Sequence, residues 1–172
     1  MPNVLVRKIL WGVLIVAVAA GARVWATAAL GLTSQILAVG SSPDGMASHI
    51  QFNKNPDGSV TPWGLQLQIH GDTDHRQVRL ELVPGGHSGW HSHPGLVIGT
   101  VTSGQVDTYD AACRKRTVNA GGVFVEGDQV HAIHNSGSGT AAVYLTFLVK
   151  KGVVPRLDEP APECWPDTPI PN

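Results

Sequence analysis

The chain has 172 residues, of which 42% are hydrophobic and 15% charged, so it is long enough for one domain with an apolar core. Its formal net charge is −1, and its one run of basic residues is Arg114-Lys115-Arg116, which we place at a solvated hairpin tip. Without clustered positive charge, nothing supports a nucleic-acid partner. The sequence also lacks a nucleophile elbow, a phosphate-binding loop and a CxxC pair, which argues against acyl transfer, nucleotide hydrolysis and thiol–disulfide exchange.

The N-terminus has the pattern of a secretory signal peptide. A short basic stretch precedes an apolar run over residues 9–22, and the residues up to Ala26 suit a signal peptidase. We therefore predict a signal peptide over residues 1–26 and export to the periplasm, the cell envelope or the medium. The alternative is an uncleaved membrane anchor, but Arg23 interrupts the apolar run, and a spanning helix needs about 20 mostly apolar residues.

A lead-in segment, residues 27–60, separates this N-terminus from the first clear strands. Its one amphipathic portion, residues 30–39, is compatible with a short helix, although Gly31 interrupts the pattern. Beyond it, apolar and polar residues alternate between turn signals, as in β-strands. The Ser103-Gly104 pair is typical of a hairpin. The predicted strands cover residues 64–69, 77–83, 96–102, 105–109, 122–125, 129–134 and 141–149.

Many short strands at this spacing, without the spacing of βαβ units, predict an all-β sandwich or small barrel. We assign residues 61–152 to a single β-barrel domain and residues 153–172 to a proline-rich C-terminal tail. The fold class is therefore an all-β barrel preceded by a signal or anchor segment.

Histidines carry the strongest functional signal. His91 and His93 are separated by one residue, so on a strand both side chains face the same side. His131 and Asn135 share a parity further along the chain, whereas His134 should face outward if that stretch is extended. Imidazole is a common ligand of divalent transition metals, and the ring nitrogen that does not bind the ion needs a hydrogen-bond acceptor. We therefore predict a metal held by the three same-facing histidines, with Asn135 as a supporting hydrogen-bond partner.

Two more residues are candidates for this site. His87 shares the parity of His91 but adjoins glycines, so a position at the rim is favoured over a role as a fourth ligand. Glu126 lies in the predicted loop before His131, where its carboxylate could join the ligands, although a carboxylate in a turn is usually solvated.

Cysteine usage agrees with export, because the chain has only Cys113 and Cys164. An even number of cysteines in an oxidising compartment favours one disulfide. The bridge would attach the proline-rich tail, which has little packing of its own, to the end of a strand. The alternative is two free thiols.

The segment from Gly85 to Asn135 resembles the two sequence motifs of the cupin superfamily of small β-barrels. The first motif has a glycine, two histidines separated by one residue, a glutamate and a second glycine. In this chain Val97 or Ile98 occupies the glutamate position, depending on the spacer. The positions that match the first motif are Gly85, His91, His93 and Gly104.

In the second motif, His131 and Asn135 match the family pattern. Glu126 stands in place of the family's proline and Asp128 in place of its glycine, while the opening glycine is displaced to Gly121. The resemblance is therefore carried mainly by the histidine pair of the first motif and by the histidine–asparagine pair of the second.

The resemblance spans residues 63–151 and implies a jelly-roll barrel with a metal on His91, His93 and His131. Without the family glutamate, the ion (Fe, Zn, Ni or Mn) would have three neutral ligands and be a stronger Lewis acid. Because cupins include isomerases, oxygenases and storage proteins, the fold does not choose the function.

Three functions therefore stay open. The first is a metal-dependent oxygenase or isomerase acting on a small anionic or oxygen-chelating molecule. The second is a non-enzymatic module that binds a small ligand or metal, and the third is a metal-free structural cupin. In the first two cases the expected partner is a small molecule, whereas the third leaves a structural or partner-binding protein. A homodimer is left open, and membrane contact is expected only if the N-terminal segment is not cleaved.

Overall fold

The structure is a computed structural model that describes residues 26–52, 57, 59 and 63–164. This part of the chain contains strands and no helix, which confirms the all-β fold, and so none of it forms a helix able to cross a membrane. The predicted signal or anchor segment, up to residue 25, lies outside the described residues. The strands are β1 (Leu30–Ser42), β2 (Met46–Phe52), β3 (Trp63–Ile69), β4 (Thr73–His87), β5 (His91–Ser92), β6 (Gly95–Ser103), β7 (Gln105–Asp110), β8 (Lys115–Asn119), β9 (Val123–Glu126), β10 (His131–His134), β11 (Ala141–Lys150) and β12 (Leu157–Asp158).

Ten of these strands form one antiparallel sheet that curls into a nearly closed barrel. Neighbouring strands follow the order β12-β5-β10-β4-β11-β6-β9, while β1 pairs with β4 and the β7–β8 hairpin pairs with β10. Strands β2 and β3 form a separate hairpin. Neighbours in the barrel are mostly distant in sequence, as expected of a jelly roll rather than a simple meander.

The predicted alternation of β4 is confirmed and builds one wall of the core. Val78, Leu80 and Leu82 are buried, and β11 places Leu145 opposite Val78 and Val143 opposite Leu80. Burial of each such side chain contributes roughly 1.5–3 kcal/mol before the entropy cost of ordering it. This packing fixes β4, from whose end the chain enters the histidine strand β5.

The helix considered for residues 30–39 is wrong, because these residues belong to β1. This strand pairs antiparallel with β4 along almost its whole length, with Leu32 opposite Leu82. A short segment without charges and with an early glycine has little helical stability of its own, whereas the open edge of β4 satisfies its backbone groups. The barrel sheet therefore begins well before residue 61.

The Ser103-Gly104 turn is present, but the hairpin predicted there is wrong. Gly104 has a φ of 70°, a conformation that suits glycine. The two strands that it joins do not pair, since β6 bonds to β11 and β9, whereas β7 bonds to β10 and β8. The turn therefore carries the chain from one part of the barrel to another.

The disulfide between Cys113 and Cys164 is confirmed, and it closes the loop between β7 and β8 onto the C-terminal tail. The first part of this tail is better packed than expected. Strand β12 pairs with β5, and the hydroxyl of Ser92 donates to the carboxylate of Glu159 at 2.8 Å. The backbone N–H of Thr27 also donates to the carbonyl of Glu159, at 3.2 Å. The tail thus forms part of the wall around the histidine strand.

Candidate metal centre

Two strands, β5 and β10, bring the predicted histidines together. His91 on β5 lies directly opposite His131 on β10, and His93 follows β5. All three side chains are buried, with 3–9% of each residue exposed. Their ring centroids lie 4.3–5.0 Å apart. The spacing of His91 and His93 thus brought these two rings together at the end of β5, and the antiparallel pairing with β10 supplied the third ring.

Glu126 completes the cluster. One ligand atom from each of His91, His93, Glu126 and His131 lies within 4.8 Å of all the others. The Oε2 atom of Glu126 lies 3.4 Å from Nε2 of His93 and 3.5 Å from Nε2 of His131, and its side chain is only 7% exposed. The expectation of a site with three neutral ligands is therefore wrong, because a carboxylate stands among the histidines.

The position of Glu126 in the fold explains why its place among the histidines was hard to predict from the sequence. Glu126 ends β9 and lies directly opposite Val97 on β6, one of the two positions where the family motif has its glutamate. Residues directly opposite in an antiparallel pair project to the same face of the sheet. The carboxylate thus reaches the site from the neighbouring strand, at the level of the position that Val97 fills with an apolar side chain.

In each of the three imidazoles, Nδ1 is hydrogen-bonded to a backbone carbonyl. Nδ1 of His91 lies 3.0 Å from the Gly89 oxygen, Nδ1 of His93 lies 2.7 Å from the Pro155 oxygen, and Nδ1 of His131 lies 2.7 Å from the Gln129 oxygen. A carbonyl only accepts hydrogen bonds, so in the neutral form of each ring Nδ1 carries the proton and Nε2 carries a lone pair. These bonds fix the ring orientations, as the outer hydrogen bonds of metal-binding histidines do.

Two inner nitrogens have unmet bonding capacity. The Nε2 atoms of His93 and His131 are buried and have no hydrogen-bond partner within the described residues, and their contacts with Glu126 are long, at 3.4 and 3.5 Å. Buried polar atoms normally have a partner, and an orphaned pair beside a carboxylate suits a bound cation. The residues present therefore fit a divalent transition metal, with three nitrogen ligands and one oxygen ligand.

The charges of the cluster favour a cation. Burial alone would raise the pKa of Glu126, but its close contacts with His131 and His93 and the charges of His131 and His91 lower it to about 2. Burial lowers the pKa of His91 to about 3, aided by His131. Burial also opposes the protonation of His131, but Glu126 outweighs it and raises the pKa of that ring. At neutral pH the site therefore has an ionised carboxylate and a neutral His91, as metal binding requires.

Asn135 has a structural role in place of the expected one beside a ligand. It is fully buried, and its Nδ2 donates to the carbonyls of Leu82 and Gly139, both at 2.8 Å. Its Oδ1 accepts a hydrogen bond from the N–H of Gly137 at 2.9 Å. Asn135 therefore holds the turn between β10 and β11, while backbone carbonyls orient the histidines.

His87 and His134 lie outside the cluster, opposite one another on β4 and β10. His87 is half-buried, and its Nδ1 accepts the N–H of Gly89 at 3.2 Å. The expectation that His134 faces solvent is wrong, since it is only 5% exposed. Its parity does direct it away from His131, but His134 is buried beside His87 and Asp107, which lie opposite it on the neighbouring strands, and burial lowers its pKa.

The cluster lies beside a cavity and a groove. A cavity of 240 Å³ is lined by His91, His93 and Glu126, by apolar residues of β1, β4 and β11, and by Arg76 and Arg156. A more open groove of 650 Å³ reaches Glu126 and His131 from another side and is lined by residues 114–116 of the β7–β8 hairpin. The candidate ligands are therefore buried but lie next to space for a small molecule.

Residues 78–148 match the family model of the cupin domain, and this part of the chain is a cupin domain. No curated protein sequence matches the chain. Similar solved structures include an oxalate oxidase, at 25% identity over 45% of this chain and 46% of that chain, with a TM-score of 0.39. A cupin-like protein from Thermotoga maritima shares 21% identity over 53% of this chain and 75% of that chain, with a TM-score of 0.43. The chain thus spans less than half the length of the oxalate oxidase.

Proposed function

We propose that this protein is a metal-dependent cupin that binds a small anionic or oxygen-chelating molecule and converts it by oxygenation or isomerisation. The observation that carries the proposal is the convergence of three imidazole Nε2 atoms and one ionised carboxylate beside a cavity. Such a ligand set holds zinc, iron, nickel or manganese and leaves positions for a ligand oxygen.

The residues around a bound ion would have different roles. The carbonyls of Gly89, Pro155 and Gln129 hold the three rings so that the Nε2 atoms face the centre. Glu126 removes one unit of positive charge from the site, which moderates its attraction for anions relative to three neutral ligands. A bound ion supplies a Lewis acid that orients and polarises an oxygen group of the ligand. The buried position of the rings keeps competing water away from the site.

The first test is the metal content. Protein reconstituted in turn with iron, zinc, nickel and manganese should retain about one equivalent of at least one of these ions in elemental analysis. Absence of metal after all four reconstitutions contradicts the proposal and favours a metal-free structural cupin.

A thermal-shift panel then tests the ligand. Carboxylates, phenols and sugars are added to metal-loaded wild type and to His91→Ala, because a ligand that binds only the folded state raises its melting temperature. Ligands that stabilise the wild type alone support the metal-centred site. Equal stabilisation of both proteins contradicts it. Stabilisation without turnover by the wild type identifies the protein as a non-enzymatic binding module.

We also propose that the protein acts outside the cytoplasm. The Cys113–Cys164 disulfide is consistent with an oxidising compartment. Cell fractionation combined with thiol labelling tests this proposal, since recovery of the protein in the cytoplasm with both thiols reduced contradicts it.

A further inference from the structure

We infer that Arg76 recognises an anionic group of the ligand, so that the 240 Å³ cavity accepts a small carboxylate with an apolar body. This inference rests on the proposed function and deepens it by naming the ligand class. It begins from a cationic side chain in a cavity whose other walls are largely apolar.

The strand register places Arg76 in the cavity wall. Arg76 shares the parity of Val78 and Leu80 on β4, and all three line the cavity. Across the ladder it lies opposite Phe147 of β11. The ring of Phe147 packs 5.4 Å from the ring of His93, centroid to centroid. A molecule lying along this aromatic wall would therefore have the metal ligands at one end and the guanidinium at the other.

The guanidinium of Arg76 is incompletely satisfied by the protein. Its nearest acidic partner is Asp74, whose Oδ2 lies 3.6 Å from Nη2 of Arg76. Asp74 already accepts hydrogen bonds from the hydroxyl of Ser41 at 2.6 Å and the N–H of Gly152 at 3.1 Å. The Nε atom of Arg76 is buried and has no hydrogen-bond partner in the described part of the chain. An arginine fork with unused donors is suited to a planar carboxylate.

Arg156, the second arginine that lines the cavity, has hydrogen-bond partners within the protein. Nε of Arg156 bonds to the carboxylate of Asp158 at 2.8 Å, and its Nη2 donates to the carbonyl of Ser88 at 2.7 Å. Arg156 therefore braces the C-terminal segment against the loop before β5, and it adds positive potential. Arg76 differs in that its buried Nε has no partner among the described residues, so it has a buried donor left for a ligand.

Cavity size limits the ligand. Its volume is below the range of about 300–1,000 Å³ that is typical of sites for drug-sized molecules. Leu32, Ile133 and Leu145 contribute apolar walls. These features select a molecule with one ring or a short branched chain, and they disfavour a sugar or a polyanion.

Calorimetric titration of four probes tests the assignment. Benzoate and 3-phenylpropanoate are compared with their neutral amides, using zinc-loaded and metal-free full-length protein. The wild type should bind the carboxylates more tightly, and Arg76→Met should lose about ten- to a hundredfold in carboxylate affinity while its amide affinity and zinc stoichiometry stay unchanged. Arg76→Lys, which keeps the charge beside Asp74 but not the planar fork, should lose several-fold.

Arg79→Met is the matched control. It removes the same charge from the same strand, but Arg79 has the opposite parity and pairs with Glu81, so carboxylate binding should not change. Equal carboxylate affinity of wild type and Arg76→Met would overturn the inference. So would a carboxylate preference that survives in Arg76→Met and disappears on removal of zinc, because the carboxylate would then bind the ion. Failure of the wild type to bind any of zinc, iron, nickel and manganese would contradict the proposed function, while the metal-free titrations would still decide the role of Arg76.

Discussion

At the scale of single residues, Glu126 sets the charge of the candidate centre. The histidines around it are held by backbone carbonyls, so their geometry does not depend on the carboxylate. Glu126 would supply negative charge to offset a bound cation, and it raises the pKa of His131. Because Glu126 favours the protonated form of His131, a divalent ion would have to displace the proton from this ring. Metal binding should therefore weaken as the pH falls.

Substitution of the ligands should weaken metal binding. His91→Ala, His93→Ala and His131→Ala should each lower zinc affinity by more than about a hundredfold, since even outer hydrogen-bond partners are worth about 10–100-fold. Glu126→Gln keeps the side-chain shape and removes the charge, so it should also weaken binding. Competition with a chromophoric chelator measures the affinities, with His134→Ala as the matched control. Wild-type affinity of Glu126→Gln would exclude the carboxylate as a ligand.

His134 should make stability depend on pH. Burial lowers its pKa in the folded protein, with the facing Asp107 acting in the opposite direction and His87 and Lys115 in the same direction as burial. As the pH falls below about 6.5, the unfolded chain takes up the proton first, so the stability due to neutral His134 is present above that pH and is lost below it.

Urea unfolding of the metal-free protein at pH 7, 6 and 5 measures this effect. The free energy of unfolding of His134→Gln should fall less steeply with decreasing pH than that of the wild type, by at most about 1.4 kcal/mol per pH unit for one proton. Parallel pH profiles for the two proteins would show that folding does not lower the pKa of His134.

At the scale of elements, the short strand β5 depends on its neighbours. It has only two residues and is held between β10 and β12. Beyond that pairing, the C-terminal segment donates to the loop before β5 through Arg156 and orients His93 through the carbonyl of Pro155. A short strand alone is not stable, so the segment from residue 155 to 159 is structurally part of the candidate centre.

Removal of the disulfide should release the end of the tail first. The bridge joins residues 51 positions apart, and loop-entropy estimates give about 4 kcal/mol as an upper figure for its contribution. In the double variant Cys113→Ser and Cys164→Ser, proteolysis should occur beyond residue 160, because the bonds made by Pro155 and Glu159 precede the cysteine. Limited proteolysis with mass spectrometry locates the cleavage. Primary cleavage within β10 or β11 would show that the bridge supports the whole barrel.

At the scale of the whole molecule, the candidate ligands join separate parts of the barrel. β5, β9 and β10 are not all neighbours, since β9 lies at one end of the strand order and β5 near the other. A bound ion would therefore link strands that do not pair with one another, in addition to the single backbone hydrogen bond from the N–H of His93 to the carbonyl of Gly127. Because the ion would bind only the folded state, its binding free energy would stabilise the entire domain.

Metal loading should therefore raise the melting temperature. With free metal at 100 times its Kd, the free energy of unfolding should increase by about 2.7 kcal/mol. His91→Ala should show no comparable increase under the same conditions, and addition of a chelator should reverse the effect in wild type. Differential scanning calorimetry measures both proteins, and an equal increase in the variant would place the stabilising ion elsewhere.

The sequence alone determined the features that depend on local spacing. Alternation assigned Val78, Leu80 and Leu82 to the core, and the same period placed His91 and His93 on one side of a strand. Compartment and cysteine number indicated the disulfide, which the structure contains.

Only the tertiary structure decided which distant strands pair. The sequence predicted the turn at Gly104, but it did not predict which strands pair with β6 and β7. A turn residue specifies the local backbone conformation and not the pairing of the strands that follow it. For the same reason Glu126 resembled a solvated loop residue until the pairing of β9 with β6 placed it opposite Val97 and among the histidines. Its burial and charge arise from contacts between segments far apart in the chain, which local periodicity does not encode.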